Sequence, residues 1–117
     1  MSTTIERLHP GPRMSQAVVH GNMVYLAGQV AGDPSADVPG QTRQVLATID
    51  QLLAKAGSDK TRILSATIYL ADIGTFGQMN SVWDAWVAKD HPPARATVEA
   101  RLAAPAYKVE IQVVAAR

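Results

Sequence analysis

The first third of the chain contains two short runs of β-prone residues. Residues 15–30, SQAVVHGNMVYLAGQV, are divided by HGN at positions 20–22, which is typical of a tight turn. The apolar residues do not alternate cleanly with polar ones, because Val18 and Val19 are adjacent and MVYL is a continuous run. The pattern therefore predicts a hairpin whose strands are covered on both faces.

Two later segments have the spacing of amphipathic helices. After a predicted loop at residues 31–40, apolar residues recur at helical intervals until a glycine that suits a helix end: Val45, Leu46, Ile49, Leu52, Leu53, Ala56 and then Gly57. A second set, from about Thr75 to Lys89, ends before a proline pair: Phe76, Met79, Val82, Trp83, Trp86 and Val87. The two tryptophans are predicted to pack in the core.

Three further strands follow from alternating side chains. Residues 62–70 place Ile63, Ser65, Thr67 and Tyr69 on one face and Leu64, Ala66, Ile68 and Leu70 on the other. The chain closes with strands at 95–102 and 107–115, joined by AAPA. Their apolar set, which includes Ala96, Val98, Ile111 and Val113, is predicted to face the helices. Their polar set is predicted on the opposite face: Arg95, Thr97, Glu99, Arg101, Lys108, Glu110 and Gln112.

The predicted order of elements is ββαβαββ within a single domain of residues 1–117. Because crossovers between parallel strands are right-handed, both helices should cover the same face of one sheet. The fold class is therefore α+β, a two-layer sandwich. Apolar side chains also fall on the other face, which a fully solvated surface should not carry. We expect this face to be buried against other copies of the chain, with charged clefts between subunits.

Composition narrows the possible functions. The 11 Lys and Arg residues nearly balance the 10 Asp and Glu residues, so we expect neither nucleic acid nor a membrane as a partner. The sequence contains no cysteine, no long apolar run and no start typical of a secretory signal, which favours the cytoplasm. No phosphate-binding loop and no metal-ligand spacing occur, and the histidines lie in predicted turns or termini. We therefore expect neither cofactor nor metal.

Five motifs, in order along almost the whole chain, resemble those of the Rid (YjgF-like) family of reactive intermediate deaminases. PARATVEARL and YKVEIQVVA are similar to the family's P-A-R-x-x-V and V-E-I-E-x-I-A. GPRMSQAV, GNMVYLAGQ and MNSVWDAWV resemble G-P-Y-S-Q-A-V, G-N-x-x-x-x-S-G-Q and the family's asparagine-bearing second helix. The resemblance implies a chorismate-mutase-like homotrimer with sites between subunits. It also implies cofactor-free hydrolysis of 2-imino and 2-enamino acids to 2-oxo acids and ammonia.

Two charged residues are the candidate catalytic groups. Arg95 is the candidate anchor for the substrate carboxylate, because a guanidinium binds a carboxylate bidentately in a fixed plane. The alternative is a surface arginine paired with Glu99 or Asp90. Glu110 matches the family's glutamate and is the candidate for positioning water and transferring protons. Its alternative is a structural ion pair with Lys108 or Arg101.

The resemblance also nominates residues that bind substrate. Asn80 matches the helix asparagine, and Gly28 lies where substrate would approach the backbone closely. Met14 replaces the family's tyrosine, with Arg13 as one extra residue before it, and Thr97 replaces a common cysteine. Ala27 also replaces a serine and Gln112 an acid. Because these changes make the pocket more apolar, we expect slower turnover or a substrate other than the family's usual small imines.

Two questions stay open from the sequence. A tight hairpin through AAPA would pair Glu99, rather than Arg95, with Glu110. Arg95 therefore either reaches along the sheet or acts with a glutamate from another subunit. The alternative function is a non-catalytic trimer that binds a small carboxylate metabolite. Glu110 separates the two functions, because binding an anion gains nothing from a nearby carboxylate.

Overall fold

Residues 4–117, which the computed structural model describes, form six strands and two helices in the order βββαβαββ. The strands are β1 (Ile5–Leu8), β2 (Ala17–His20), β3 (Met23–Leu26), β4 (Ile63–Leu70), β5 (Ala94–Glu99) and β6 (Val109–Ala116). The helices are α1 (Val38–Lys55) and α2 (Phe76–Trp86). Single-turn 3-10 helices at Lys60–Arg62 and Ile73–Thr75 precede β4 and α2.

The strands form one sheet in the order β1-β2-β3-β6-β4-β5. All neighbours are antiparallel except β4 and β5, which run parallel. The expected hairpin between the last two strands is wrong, because β4 lies between them. The β4-α2-β5 crossover places β5 beside β4 as an edge strand, and β6 then pairs with both β3 and β4.

The sheet has one strand more than predicted. β1 is antiparallel to β2, with Glu6 opposite Val19 and Leu8 opposite Ala17. Three of its four residues are exposed, and only Leu8 packs against the core. Four residues with only one partly buried side chain give too weak an alternation to be recognised in a sequence, so pairing with β2 defines this strand.

Both helices cover the same face of the sheet, as predicted, and the fold class is confirmed. The β6 residues that face the helices are at most 1% exposed: Val109, Ile111, Val113 and Ala115. Trp83 is 5% exposed within this core. Trp86 is only half-buried at its rim, where its ring lies 5.3 Å from that of Trp83 and its indole N–H donates to Asp50 at 2.9 Å.

Helix α1 begins earlier than its apolar residues indicated, so the expected loop at 31–40 is shorter. Asp37 caps the helix by accepting a hydrogen bond from the Gly40 amide at 2.9 Å. Pro39 lies in the first turn, where a missing amide hydrogen costs nothing. The proline and glycine that suggested a loop are therefore part of the helix start.

The expected faces of β4 hold except at its first residues. Ala66, Ile68 and Leu70 share one face, as predicted, and are buried beneath the helices. Ile63 is also buried whereas Leu64 is 49% exposed, which reverses their expected positions. A register shift against β6 between Ile63 and Ser65 is the cause, because one extra residue exchanges the two faces.

The face of the sheet away from the helices carries no layer of its own in residues 4–117. Tyr25 on β3 and Val98 on β5 are 45% and 42% exposed there. The cross-strand register places several half-buried side chains on the same face: Val18, Thr67, Tyr69, Glu110 and Val114. This open face is thus a mixed apolar and polar surface, as the sequence predicted.

Candidate active site

Arg95, the second residue of the edge strand β5, points to the helix side of the sheet. It is opposite Ala66 of β4, and Thr97 is opposite Ile68, both of which are buried beneath the helices. The guanidinium reaches α2, where Nη1 donates a hydrogen bond of 2.8 Å to Oδ1 of Asn80. Two of the candidate residues, Arg95 and Asn80, are therefore in contact within one chain, although Arg95 lies on the face opposite to the one expected.

The faces of β5 are reversed relative to the sequence prediction. Ala96 and Val98, expected beneath the helices, are exposed on the open face. The physical reason is that β5 is an edge strand, and parallel pairing with β4 decides which alternate residues lie with Ala66 and Ile68. Both alternate sets in β5 consist of small or polar residues apart from Val98, so hydrophobicity imposes little preference.

No carboxylate in residues 4–117 forms an ion pair with Arg95. Neither of the alternative partners, Glu99 and Asp90, pairs with Arg95. Oε1 of Glu99 instead accepts a hydrogen bond from the Ile73 amide at 3.0 Å. Two aromatic rings take their place: Cζ of Arg95 lies 5.3 Å from the ring centroid of Trp83 and 5.7 Å from that of Phe76. The charge of this half-buried arginine is therefore not neutralised by any acidic side chain of residues 4–117.

Glu110 lies on the open face of β6, directly against Gly28. A Cβ on Gly28 would overlap Oε2 of Glu110 and lie 2.9 Å from its Cδ. Backbone hydrogen bonds of 2.9 and 3.1 Å between Gln29 and Ile111 hold the two segments together. The structure therefore joins two of the predicted site residues, and the close approach explains why position 28 is a glycine.

The structural ion pairs considered for Glu110 are not formed in the described part of the chain. No contact joins its carboxylate to Lys108 or Arg101. Lys108 instead donates through Nζ to the Ala36 carbonyl at 3.4 Å. Glu110 is half-buried and has no cationic partner among residues 4–117.

Arg95 and Glu110 are not brought together within one chain. Glu110 is paired with Tyr69, which is paired with Val98, so the two charged residues differ by three positions along the sheet and by two strands across it. At standard strand dimensions their Cα atoms are about 14 Å apart. Their side chains also leave the sheet on opposite faces, so Arg95 does not reach along the sheet to Glu110.

The remaining predicted residues lie near either Arg95 or Glu110, which form the two halves of the candidate site. Thr97 follows Arg95 on the helix side, and its Oγ1 is buried without a hydrogen-bond partner in residues 4–117. Met14 is 49% exposed in the loop before β2 and lines a cavity of about 470 Å³ with His9, Arg13 and Gln16. The Gln16 carbonyl accepts the Ala27 amide at 2.9 Å, which places this loop beside Gly28.

The contacts of Phe76 and Trp83 with Arg95 were not predicted from the sequence. Both were assigned to the helix pattern, and the tryptophan was interpreted as core. Their positions relative to Asn80, four residues before and three after, provide the available signal, because such residues share one face of a helix. Aromatic residues at these two positions are therefore expected to lie beside the group that the asparagine contacts.

Within residues 4–117, no group of three or more His, Asp and Glu side chains is arranged to hold a metal ion. No helix of this part of the chain has the length and hydropathy needed to cross a membrane.

Comparisons with known proteins agree with this fold. The family model described as Endoribonuclease L-PSP matches residues 4–117. The RutC family protein YoaB of Escherichia coli is 50% identical over 113 residues, covering 97% of this chain and 98% of its own.

Solved structures give the same relationship. A member of the YjgF protein family from Neisseria meningitidis superposes with a TM-score of 0.95 at 46% identity, covering 98% of this chain and 96% of its own. YyfA of Yersinia pestis, described as a protein of unknown function of the conserved Rid protein family, has a TM-score of 0.85 at 32% identity and covers 92% and 90%. The chain therefore belongs to the YjgF/Rid family, also described as L-PSP.

Proposed function

We propose that this protein hydrolyses reactive 2-imino acids, or their 2-enamino tautomers, to 2-oxo acids and ammonia without a cofactor. The observation that carries the proposal is the unpaired charge of Arg95. The guanidinium contacts Asn80 and two aromatic rings, and no acidic side chain of residues 4–117 pairs with it. Such a group is suited to bind the carboxylate that every 2-imino acid carries beside its C=N carbon.

Glu110 supplies the second function in this proposal. As a base it removes a proton from water while the water oxygen bonds to the C=N carbon and the π electrons move to nitrogen. It then returns that proton to nitrogen, which gives a carbinolamine, and next transfers the proton of the carbinolamine hydroxyl to the same nitrogen. The C–N bond breaks with its electron pair on ammonia as an oxygen lone pair forms the C=O bond. The lack of bulk at Gly28 leaves space for the Glu110 carboxylate at this position.

The opposite orientation of Arg95 and Glu110 supports a site completed by two subunits. One subunit supplies Arg95 at the sheet edge, and its neighbour supplies Glu110 on the open face. The exposed Tyr25 and Val98 on that face would be buried by the same association. We propose a homotrimer, which light scattering tests directly: the expected mass is three times 12.5 kDa, and a 12.5 kDa monomer would contradict it.

The substrate class follows from the departures from the family motifs. Met14 is exposed and carries no hydroxyl, and Phe76, beside Arg95, is 41% exposed. We propose an imine with an apolar side chain larger than that of alanine. The reaction is placed in the cytoplasm, since a protein without cysteine suits a reducing compartment.

The test is a competition assay with semicarbazide. An amino acid oxidase generates imines from alanine, 2-aminobutyrate, leucine, methionine and phenylalanine, and semicarbazide traps them as semicarbazones. Wild-type protein should lower the semicarbazone signal, most strongly for the larger side chains. Glu110→Gln should not lower it, whereas Glu6→Gln, a matched change on the exposed strand β1, should act like wild type.

Other outcomes would favour other functions. If no imine is consumed but 2-oxobutanoate binds, the protein is the carboxylate-binding trimer considered above. The family description also names an endoribonuclease, although the charge of +1 gives no basic surface for RNA. Cleavage of a fluorescent single-stranded RNA by wild type, and not by Glu110→Gln, would contradict the proposal.

A further inference from the structure

Three residues on one face of α2 surround the Arg95 guanidinium. Phe76, Asn80 and Trp83 are separated by four and three positions, so their side chains project from the same side of the helix. The two rings lie 5.7 and 5.3 Å from Cζ, and Asn80 accepts a single hydrogen bond. Arg95 therefore contacts α2 mainly through uncharged aromatic surface.

We propose that Phe76 and Trp83 are positioning residues that fix the Arg95 guanidinium for a carboxylate ligand. The inference rests on the proposed role of Arg95 in binding carboxylate. An aromatic ring attracts the cation through its π electrons but carries no charge that would neutralise it. Asn80 accepts from one of the five N–H donors of a guanidinium, so four remain for the ligand.

The rings of Phe76 and Trp83, called the aromatic clamp below, lower the free-energy cost of ligand binding because they order the Arg95 side chain before the ligand arrives. A mobile arginine side chain loses rotational freedom when it binds a carboxylate, whereas an arginine already ordered by two aromatic rings loses little. The same orientation is needed in the ground state and the transition state. Weakening the clamp should therefore raise KM and leave kcat nearly unchanged, a pattern that partial unfolding of the protein does not produce.

The two rings differ in what their replacement would do to the fold. Trp83 is 5% exposed in the core, so truncation there would destabilise the protein. Phe76 is 41% exposed at the first position of α2, and its ring centroid lies 5.7 Å from Cζ of Arg95. Phe76 is therefore the position at which the clamp can be weakened while the fold is retained.

The experiment compares Phe76→Leu, Phe76→Tyr and Ile73→Ala with wild type. Phe76→Tyr keeps the ring. Ile73→Ala removes an apolar side chain of similar exposure, 44%, from the adjacent turn. Binding of 2-oxobutanoate is measured by calorimetry, and the mobility of the Arg95 Nε–H group by ¹⁵N relaxation. We expect Phe76→Leu to weaken binding by about 3- to 10-fold and to increase the mobility, and the other two variants to match wild type.

The outcomes separate the clamp from the proposed reaction. If wild type binds 2-oxobutanoate but consumes no imine, the reaction fails and the clamp is still tested by binding and relaxation. If wild type is active and Phe76→Leu has unchanged affinity and Nε–H mobility, the clamp is wrong and the reaction stands. If wild type does not bind 2-oxobutanoate, the clamp is overturned, whereas the reaction is still decided by imine consumption.

Discussion

Arg95 and Glu110 leave the same sheet on opposite faces, with strand β4 between their own strands. Each is half-buried, and neither has an oppositely charged partner in the described part of its chain. A small carboxylated substrate cannot contact both side chains of one subunit. If the two residues serve one reaction, association of subunits has to bring them together.

Two inactive variants should therefore restore activity when their subunits are mixed. Arg95→Ala keeps Glu110, and Glu110→Gln keeps Arg95. After denaturation and refolding of an equal mixture, roughly a quarter of the shared sites should contain both native groups. Imine turnover should recover to about that fraction of wild type. Activity no higher than that of the separate variants would contradict a shared site, provided that refolded wild type recovers its activity.

Replacing Arg95 by lysine should impair binding although the charge is retained. Lysine cannot form two parallel N–H···O bonds with a carboxylate, and a hydrogen bond to a charged group contributes on the order of 1.5–3 kcal/mol. We expect kcat/KM for imine consumption to fall by about 10- to 100-fold, and further for Arg95→Ala. The melting temperature serves as the control for folding. Wild-type kinetics in Arg95→Ala would refute the anchor assignment.

Gly28→Ala should disturb Glu110 specifically. The added methyl group overlaps the end of the Glu110 side chain, which can rotate away at little cost to the fold. We expect imine turnover to fall at least about 10-fold, since an ångström-scale displacement of a catalytic group is costly. Gly32→Ala is the matched control, because a Cβ there meets nothing within 4 Å. Equal turnover of the two variants would show that the position of Glu110 is unimportant.

Thr97→Val should separate stability from ligand binding. The Thr97 hydroxyl is buried without a hydrogen-bond partner among residues 4–117, so replacing it by a methyl group should raise the free energy of unfolding by about 1 kcal/mol. Affinity for 2-oxobutanoate should fall by about 3- to 10-fold if this hydroxyl bonds the ligand.

Thr42→Val provides the contrast in the same urea titrations. Its Oγ1 donates to the Val38 carbonyl at 2.7 Å in a fully buried position, so the free energy of unfolding should fall by about 1 kcal/mol. The same sign of change in both variants would contradict the interpretation of Thr97 as an unsatisfied donor.

The sequence by itself determined most elements and the candidate residues. The alternation of apolar residues in β6 and their helical spacing from Val45 to Ala56 follow from burial of one face of each element. The sequence alone shows such a periodicity. The arginine and glutamate were identified from side-chain chemistry and family motifs. Those arguments require only the identity of residues and their separation along the chain.

Only the tertiary structure decided where those residues lie relative to one another. The short strand β1 depends on its pairing with β2, and the place of β6 between β3 and β4 depends on long-range pairing. The face of Arg95 was set by the register of β5 with β4, because neither alternate set of this edge strand is strongly apolar. The contacts of Arg95 with Phe76 and Trp83 likewise arise where α2 crosses the sheet, a relationship that the local sequence pattern does not contain.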